Sequence, residues 1–108
     1  MEKNVQLSNP IISNIKELKK MILPDARLIL FGSQARQDAT PESDWDILIL
    51  LDKDEIAPND FEKYAYPFVE LGWKLGEYFS MKLYTISEWM KRQGTPFFKN
   101  VESEGVEL

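Results

Sequence analysis

The 108-residue chain contains no cysteine and no histidine. The lack of cysteine excludes disulfide frameworks and thiol nucleophiles, and the two absences together exclude zinc sites built from Cys and His. Without histidine, a Ser-His-Asp triad cannot form either. Acid–base or metal chemistry in this chain must therefore be carried by carboxylates.

Long apolar runs are also missing. No stretch approaches the roughly 20 apolar residues that a membrane-spanning helix needs, and the start, Met1-Glu2-Lys3-Asn4, lacks the apolar core of a signal peptide. We therefore expect a cytoplasmic protein with no membrane association.

Positive charge is the scarcer sign, because 13 Lys and Arg stand against 18 Asp and Glu, for a net charge of −5 and a pI of about 4.7. This balance argues against broad binding of DNA or RNA phosphates. The length predicts a single domain over residues 1–108. A domain of this size buries only about two-thirds of its unfolded surface, so a cleft must be shallow or shared with a partner.

Apolar spacing and turn residues predict the element order αβαβαβαα. Asn9-Pro10 predicts the start of a helix that Pro24 closes. Only about a dozen residues join the first two strands, which favours a small mixed β-sheet packed against helices, an α+β fold. Strands are predicted at residues 27–31, 45–51 and 81–86.

The helices after the second strand are predicted from similar signals. A long helix is expected to carry apolar residues from Phe61 to Phe79, with Pro67 either kinking it or marking the first turn of a separate helix. Gly72 and Gly76 are expected to permit close packing on the sheet. Two capped helices are predicted next, one from Ser87 to near Gly94 and one from Thr95-Pro96.

The segment around Gly32-Ser33 carries the first chemical signal. Gly32 lets the chain turn sharply as it leaves the first strand, and the free amides of Ser33 and its neighbours, with the Ser33 hydroxyl, suit a phosphate. Residues 33–37 are predicted to open a short helix. Arg36, one turn further on, is a candidate phosphate ligand, with an exposed salt bridge as the alternative.

Asp44 and Asp46 carry the second signal. They stand two apart at a strand start, so their side chains leave the same face about 7 Å apart and can converge on one or two hard cations such as Mg²⁺. The alternative is a merely polar strand start, although two carboxylates on one face repel unless a cation lies between them. Trp45 is expected to face away, into packing. Phosphate-binding amides and metal-binding carboxylates together predict nucleotidyl transfer.

Through Gly32-Ser33, Ala35-Arg36 and Ser43-Asp44-Trp45-Asp46 the chain resembles the minimal nucleotidyltransferase family of the DNA polymerase beta-like superfamily. The resemblance implies the nucleotidyltransferase fold, an NTP substrate with ATP as first candidate, and Mg²⁺ or Mn²⁺. It implies that Gly32 and Ser33 bind the phosphates and that Asp44 and Asp46 are catalytic metal ligands. It also implies an all-helical HEPN-type partner, as in toxin–antitoxin pairs.

One feature departs from that family. Its active members usually carry a third carboxylate on the next strand, but residues 81–86 contain none, and Lys82 lies at or beside the expected place. Glu70, Glu77 and Glu88 are weaker substitutes on predicted helices. Nucleotide binding is therefore better supported than turnover, and the alternative is a catalytically inactive nucleotide-binding or antitoxin-like interaction module.

Aromatic residues suggest a surface for a second chain. Trp73, Phe97 and Phe98 are candidates for one apolar patch, which leaves a homo-oligomer open as well as a different partner.

Overall fold

The computed structural model describes residues 9–108 of the chain. The first four residues, used above to argue against a signal peptide, lie outside the described range. The elements in chain order are α1 (Pro10–Ile22), β1 (Arg27–Phe31), α2 (Ser33–Arg36), β2 (Trp45–Leu51), a short π-helix (Phe61–Ala65), α3 (Tyr66–Lys74), β3 (Phe79–Thr85), α4 (Ile86–Met90), α5 (Pro96–Glu104) and β4 (Val106–Glu107).

The strands form one mixed sheet in the order β3-β2-β1-β4. β1 runs antiparallel to both β2 and β4, whereas β2 and β3 are parallel. A parallel pair needs a long crossover, which the π-helix and α3 supply. The small mixed sheet packed against helices is thereby confirmed, as are the predicted bounds of β1 and β2.

Both faces of the sheet are buried, and the alternation along β2 decides which residue lies on which face. Ile47 and Ile49 pack with α1 and α3, while Leu48 and Leu50 pack with α4 and α5. Asp46 has the same parity as Leu48, so its side chain lies on the α4–α5 side. The candidate carboxylate is thus at the end of the second core.

The helix start at Asn9-Pro10 is confirmed. The Asn9 side chain accepts a hydrogen bond of 2.7 Å from the amide of Ile11, and Pro10 occupies the first helical position, where its missing N–H has no intrahelical partner to lose. The helix ends at Ile22, before Pro24.

The crossover differs from the predicted long helix. Pro67 lies in the first turn of α3, so it marks a separate helix, which was one of the two alternatives. In the preceding π-helix the Tyr66 amide donates to the Phe61 carbonyl, five residues back. The helical prediction for Phe79 is wrong, because Gly76 turns the chain at φ +73 and Phe79 begins β3.

The two glycines have different roles. A Cβ on Gly72 would lie 3.0 Å from the Phe79 ring, which confirms that this glycine permits close packing between α3 and β3. A Cβ on Gly76 would meet nothing within 4 Å, so close packing is the wrong reason for that residue. Its positive φ instead serves the turn.

The caps of the last two helices are partly as predicted. Thr85, not Ser87, caps α4: its hydroxyl accepts from the Glu88 amide, and the Glu88 carboxylate accepts from the Thr85 amide, both at 3.0 Å. The helix ends at Met90, short of the predicted Gly94. Thr95 caps α5 as expected.

The predicted patch of Trp73, Phe97 and Phe98 does not form. Trp73 lies on α3 and is 56% exposed. Phe97 and Phe98 lie on the opposite side of the sheet, where their ring centroids stand 5.5 and 4.9 Å from that of buried Trp89. Those two rings are half-buried and pack against the core between α4 and α5.

Candidate functional site

The turn from β1 into α2 forms a polar corner at one end of the sheet. Gly32 has φ +77 and ψ −160, and its carbonyl accepts hydrogen bonds of 3.1 Å from the amides of Ala35 and Arg36. The amides of Ser33 and Gln34 open the helix, so they have no acceptor within it. Because α2 is only four residues long, these amides and the Ser33 hydroxyl, rather than a helix dipole, are available to an anion.

Asp46 lies directly against this corner. Phe31, the last residue of β1, is paired with Asp46 in the antiparallel register. A Cβ on Gly32 would overlap Oδ2 of Asp46 and come within 3.2 Å of its Cγ. Position 32 is therefore restricted to glycine by the backbone and again by the carboxylate. The fold brings the predicted phosphate corner and one predicted metal ligand into contact.

The charge on Asp46 is costly to the folded state. Burial raises the pKa of this half-buried carboxyl above its ordinary value of 3.8, and the nearby charge of Asp44 raises that pKa further. Lys82 and Arg36 act in the opposite direction. Asp44 is exposed immediately before β2. The two carboxylates are thus close enough for their charges to repel, and their convergence on one cation stays a prediction.

Trp45 lies on the other face of the sheet, as predicted. Its side chain is 3% exposed, its indole N–H donates a hydrogen bond of 3.0 Å to the Glu77 carboxylate, and its ring packs against Phe79. These contacts hold the start of β2 in place. They fix Asp44 and Asp46 on the opposite side of the backbone.

Arg36 has carboxylate partners of its own. Its Nε donates to Asp38 at 3.1 Å, and its Nη1 lies 3.7 Å from Glu104 at the end of α5. The salt bridge that was the alternative for this residue is therefore present. The carboxylates raise the pKa of Arg36, with the Asp38 hydrogen bond as the main cause.

The neighbouring strand carries no acid at the matching place. The register pairs Ser80 with Asp46 and places Lys82 on the same face, one pleat further along β3. The positive charge of Lys82 lowers the pKa of Asp46, although no ion pair joins the two side chains in the described residues. Lys82 therefore lies near, and not directly opposite, the carboxylate that the family pattern would complement.

The three substitute acids do not reach the pair. Glu77 is hydrogen-bonded to Trp45 and lies between α3 and β3, not on a helix as predicted. Glu88 is engaged in the α4 cap. Glu70 lies on α3, on the other side of the sheet. Among residues 9–108, no three acids lie close enough together to hold a metal ion, so Asp44 and Asp46 have no third acid beside them for that purpose.

A metal at this site must therefore take most of its ligands from elsewhere. Mg²⁺ is commonly held by one or two carboxylates together with substrate phosphates and water. Asp44 and Asp46 fit that mode, because a cation would relieve the repulsion by which Asp44 raises the pKa of Asp46. They do not form an all-protein metal cage.

Sequence reasoning missed two residues near the site. Ser80 was overlooked because β3 was predicted to begin at residue 81, although its Cα is paired with that of Asp46. Glu104 was overlooked because it lies far from Arg36 in the sequence and only the fold joins them. A strand assigned from the Gly76 turn onward would have found Ser80.

A comparison with known protein families shows which family the chain belongs to. The family model for the nucleotidyltransferase domain matches residues 11–100. The chain belongs to the nucleotidyltransferase domain family. In this nucleotidyltransferase domain the matched range includes the glycine corner and both aspartates. The family's chemistry is nucleotidyl transfer from an NTP.

Comparison with curated proteins and with solved structures gave no match. Among the described residues, no helix has the length and apolar character needed to cross a membrane.

Proposed function

We propose that this nucleotidyltransferase domain binds an NTP, with ATP as the first candidate, together with Mg²⁺. The supporting observation is the contact between Gly32 and Asp46, which sets phosphate-binding amides beside a carboxylate pair. In the active form the domain transfers a nucleoside monophosphate to a hydroxyl of a protein or a small molecule.

Each residue has a role in this proposal. The Ser33 amide and hydroxyl, at the turn that Gly32 makes possible, bind the phosphate tail. Asp44 and Asp46 hold Mg²⁺, which supplies charge neutralisation at the phosphates. Arg36 is a secondary phosphate ligand, because binding must first draw it away from Asp38 and Glu104.

The transfer conserves atoms and charge. The acceptor oxygen forms a bond to the α-phosphorus, the bond from that phosphorus to the bridging oxygen breaks, and pyrophosphate leaves. The hydroxyl proton passes to water, because no third carboxylate of the described residues stands beside Asp44 and Asp46. Without a positioned base, turnover is expected to be slow.

Lys82 favours a second candidate function. The positive charge of Lys82 lowers the pKa of Asp46 and so offsets part of the carboxylate charge without a metal. The domain then acts as a catalytically silent nucleotide-binding or antitoxin-like interaction module. The two candidates share nucleotide binding and differ in whether pyrophosphate is released.

A partner completes the acceptor side in this proposal. We propose an all-helical HEPN-type protein and a cytoplasmic location. Exposed aromatic side chains on α3 support a protein contact, since Tyr66 and Trp73 are 38% and 56% exposed and their ring centroids stand 6.0 Å apart. A second copy of this chain is the other occupant considered.

A thermal-shift titration tests nucleotide binding. ATP with Mg²⁺ should raise the melting temperature of the wild type, since a ligand that binds only the folded state stabilises it. Asp44→Ala with Asp46→Ala should abolish the shift, whereas Asp54→Ala, an exposed loop acid, should preserve it. A wild-type melting temperature that ATP with Mg²⁺ leaves unchanged would contradict the proposal.

A further inference from the structure

Three cations lie unpaired at the edge of the sheet beyond the site. Lys82 is on β3, and Lys91 and Arg92 follow α4; all three are exposed. The ion pairs found among residues 9–108 use other cations, namely Arg27, Arg36 and Lys53. Lys91 and Arg92, which are adjacent and form no ion pair among the described residues, favour an anionic ligand in a chain of net charge −5.

Arg92 is held in an orientation that suits a phosphate. Its guanidinium lies over the Tyr84 ring, 4.6 Å from the centroid, and Tyr84 in turn packs against Trp89 at 5.8 Å. This contact restrains the guanidinium, and no ion pair joins its N–H groups to a carboxylate of the described residues. A guanidinium presented in this way binds a phosphate through two parallel hydrogen bonds.

One acid, Glu88, lines the same cavity as Lys91 and Arg92, and its carboxylate is held in place by the α4 cap. The Glu88 carboxylate accepts from the Thr85 amide at 3.0 Å as part of the α4 cap. Glu88, Tyr84, Lys91 and Arg92 line a cavity of about 530 Å³ whose apolar wall includes Leu83. The cavity therefore combines free cations with room for a small molecule.

The cavity connects to the carboxylate pair along one face of β3. Ser80, Lys82 and Tyr84 alternate onto that face, and Ser80 is the register partner of Asp46. At the usual strand rise, Ser80 and Tyr84 are about 13 Å apart. An acceptor anchored at Arg92 must therefore be more than about 13 Å long to bring a hydroxyl past Lys82 to Asp46.

We propose that Lys91, Arg92 and Tyr84 form a subsite for the phosphate group of an elongated phosphorylated acceptor, whose distant hydroxyl reaches Asp46; ribose 5-phosphate is long enough to test the phosphate subsite alone. This inference rests on the proposed function and names its acceptor class. The stacked Arg92 covers one face of Tyr84, which removes a platform for base stacking. Phosphate recognition is therefore favoured over single-stranded nucleic acid.

Ribose 5-phosphate is the test probe, titrated into ¹⁵N-labelled full-length protein and followed by NMR. Amide shifts should concentrate at residues 84 and 88–92. Arg92→Gln should weaken the affinity about tenfold or more, the loss expected for a charge-assisted hydrogen bond. Lys74→Gln, an exposed lysine on α3, removes the same charge elsewhere and should bind as the wild type does.

Several outcomes overturn the subsite. They are the absence of shifts at millimolar ribose 5-phosphate, an equal loss of affinity in Lys74→Gln, and tighter binding of a short oligoadenylate to the same surface. Loss of ATP binding in Arg92→Gln would also overturn it, by assigning the cations to the nucleotide. Wild-type protein that binds ribose 5-phosphate but not ATP would support the subsite and contradict the proposed function.

Discussion

Gly32 and Asp46 occupy the same corner so closely that any side chain at position 32 would overlap the Asp46 carboxylate. The contact joins the end of β1 to the start of β2, two strands paired directly in the sheet. The phosphate-binding turn and the carboxylate pair are therefore one structural unit. A substitution at either position should therefore change the surroundings of the other residue.

Gly32→Ala should destabilise the fold and abolish nucleotide binding. Positive φ alone costs a non-glycine residue about 1–2 kcal/mol, and overlap with Asp46 adds to that cost. Gly76→Ala is the matched control, because Gly76 has φ +73 and an open space around its Cβ position. Urea denaturation should show the larger loss for Gly32→Ala, and adding Asp46→Ala should reduce the difference. Equal losses for the two glycines would contradict the overlap.

Asp46→Asn should make the nucleotide-free protein more stable at neutral pH. The folded pKa of Asp46 is raised above the unfolded value of 3.8, so its contribution to stability is complete below 3.8 and is lost as the pH rises through the folded pKa. The neutral amide avoids that loss. Melting temperatures at pH 7 and below pH 4 measure the effect, which should disappear at the lower pH. A melting temperature of Asp46→Asn below that of the wild type at pH 7 would show that the Asp46 charge does not destabilise the folded state.

Lys82→Asp should raise nucleotidyl transfer from a weak or undetectable wild-type level. The substitution places a carboxylate on the same face of the sheet as Asp46, where it can hold metal and accept the acceptor proton. A positioned base contributes about a hundredfold or more in rate. Pyrophosphate release from NTP measures the change, with Lys74→Asp as the control for charge reversal. Robust release by the wild type, unaltered in Lys82→Asp, would refute the loss-of-base interpretation.

Asp60→Asn should destabilise the loop between β2 and α3. Asp60 is 3% exposed, and its carboxylate accepts hydrogen bonds from the Lys53 ammonium at 2.7 Å and the Ala57 amide at 2.6 Å. Those bonds, the Lys53 bond first, lower the pKa of Asp60. Its stabilising contribution is therefore complete above the unfolded pKa of 3.8 and is lost as the pH falls through the lower folded value.

The readout for Asp60→Asn is the melting temperature between pH 7 and pH 2. The variant should melt below the wild type at pH 7, and the two should converge in acid. Asp54→Asn, a change of the same kind in the exposed part of that loop, should alter little. A constant difference across the pH range would show that the charge of Asp60 is not what stabilises the loop.

The sequence was sufficient wherever local signals agreed. β1 and β2 are apolar runs bounded by turn residues, so both their bounds and the side of the backbone taken by Trp45 were predictable. Phe79 was misassigned because it continues a helical spacing of apolar residues, and only the turn at Gly76 ends that helix. β4 was missed because a strand of two residues is too short to show an alternation of apolar and polar side chains.

The site was predictable in part for the same reason. The turn at Gly32 and the strand start at Asp46 are each indicated by the neighbouring sequence, but the contact between the two residues depends on the register between two strands. The partners of Arg36 could not be read from spacing, because Glu104 reaches it only after α5 folds back over the sheet. The position of Lys82 likewise depends on the parallel register of β3 with β2.

Calorimetric titration of ATP with Mg²⁺ tests the central claim most directly. The wild type and Asp54→Ala should bind one ATP per chain, and the Asp44→Ala, Asp46→Ala double variant should show no binding while remaining folded. Equal affinity of the wild type and the double variant would contradict the claim that the carboxylate pair beside Gly32 forms the nucleotide site.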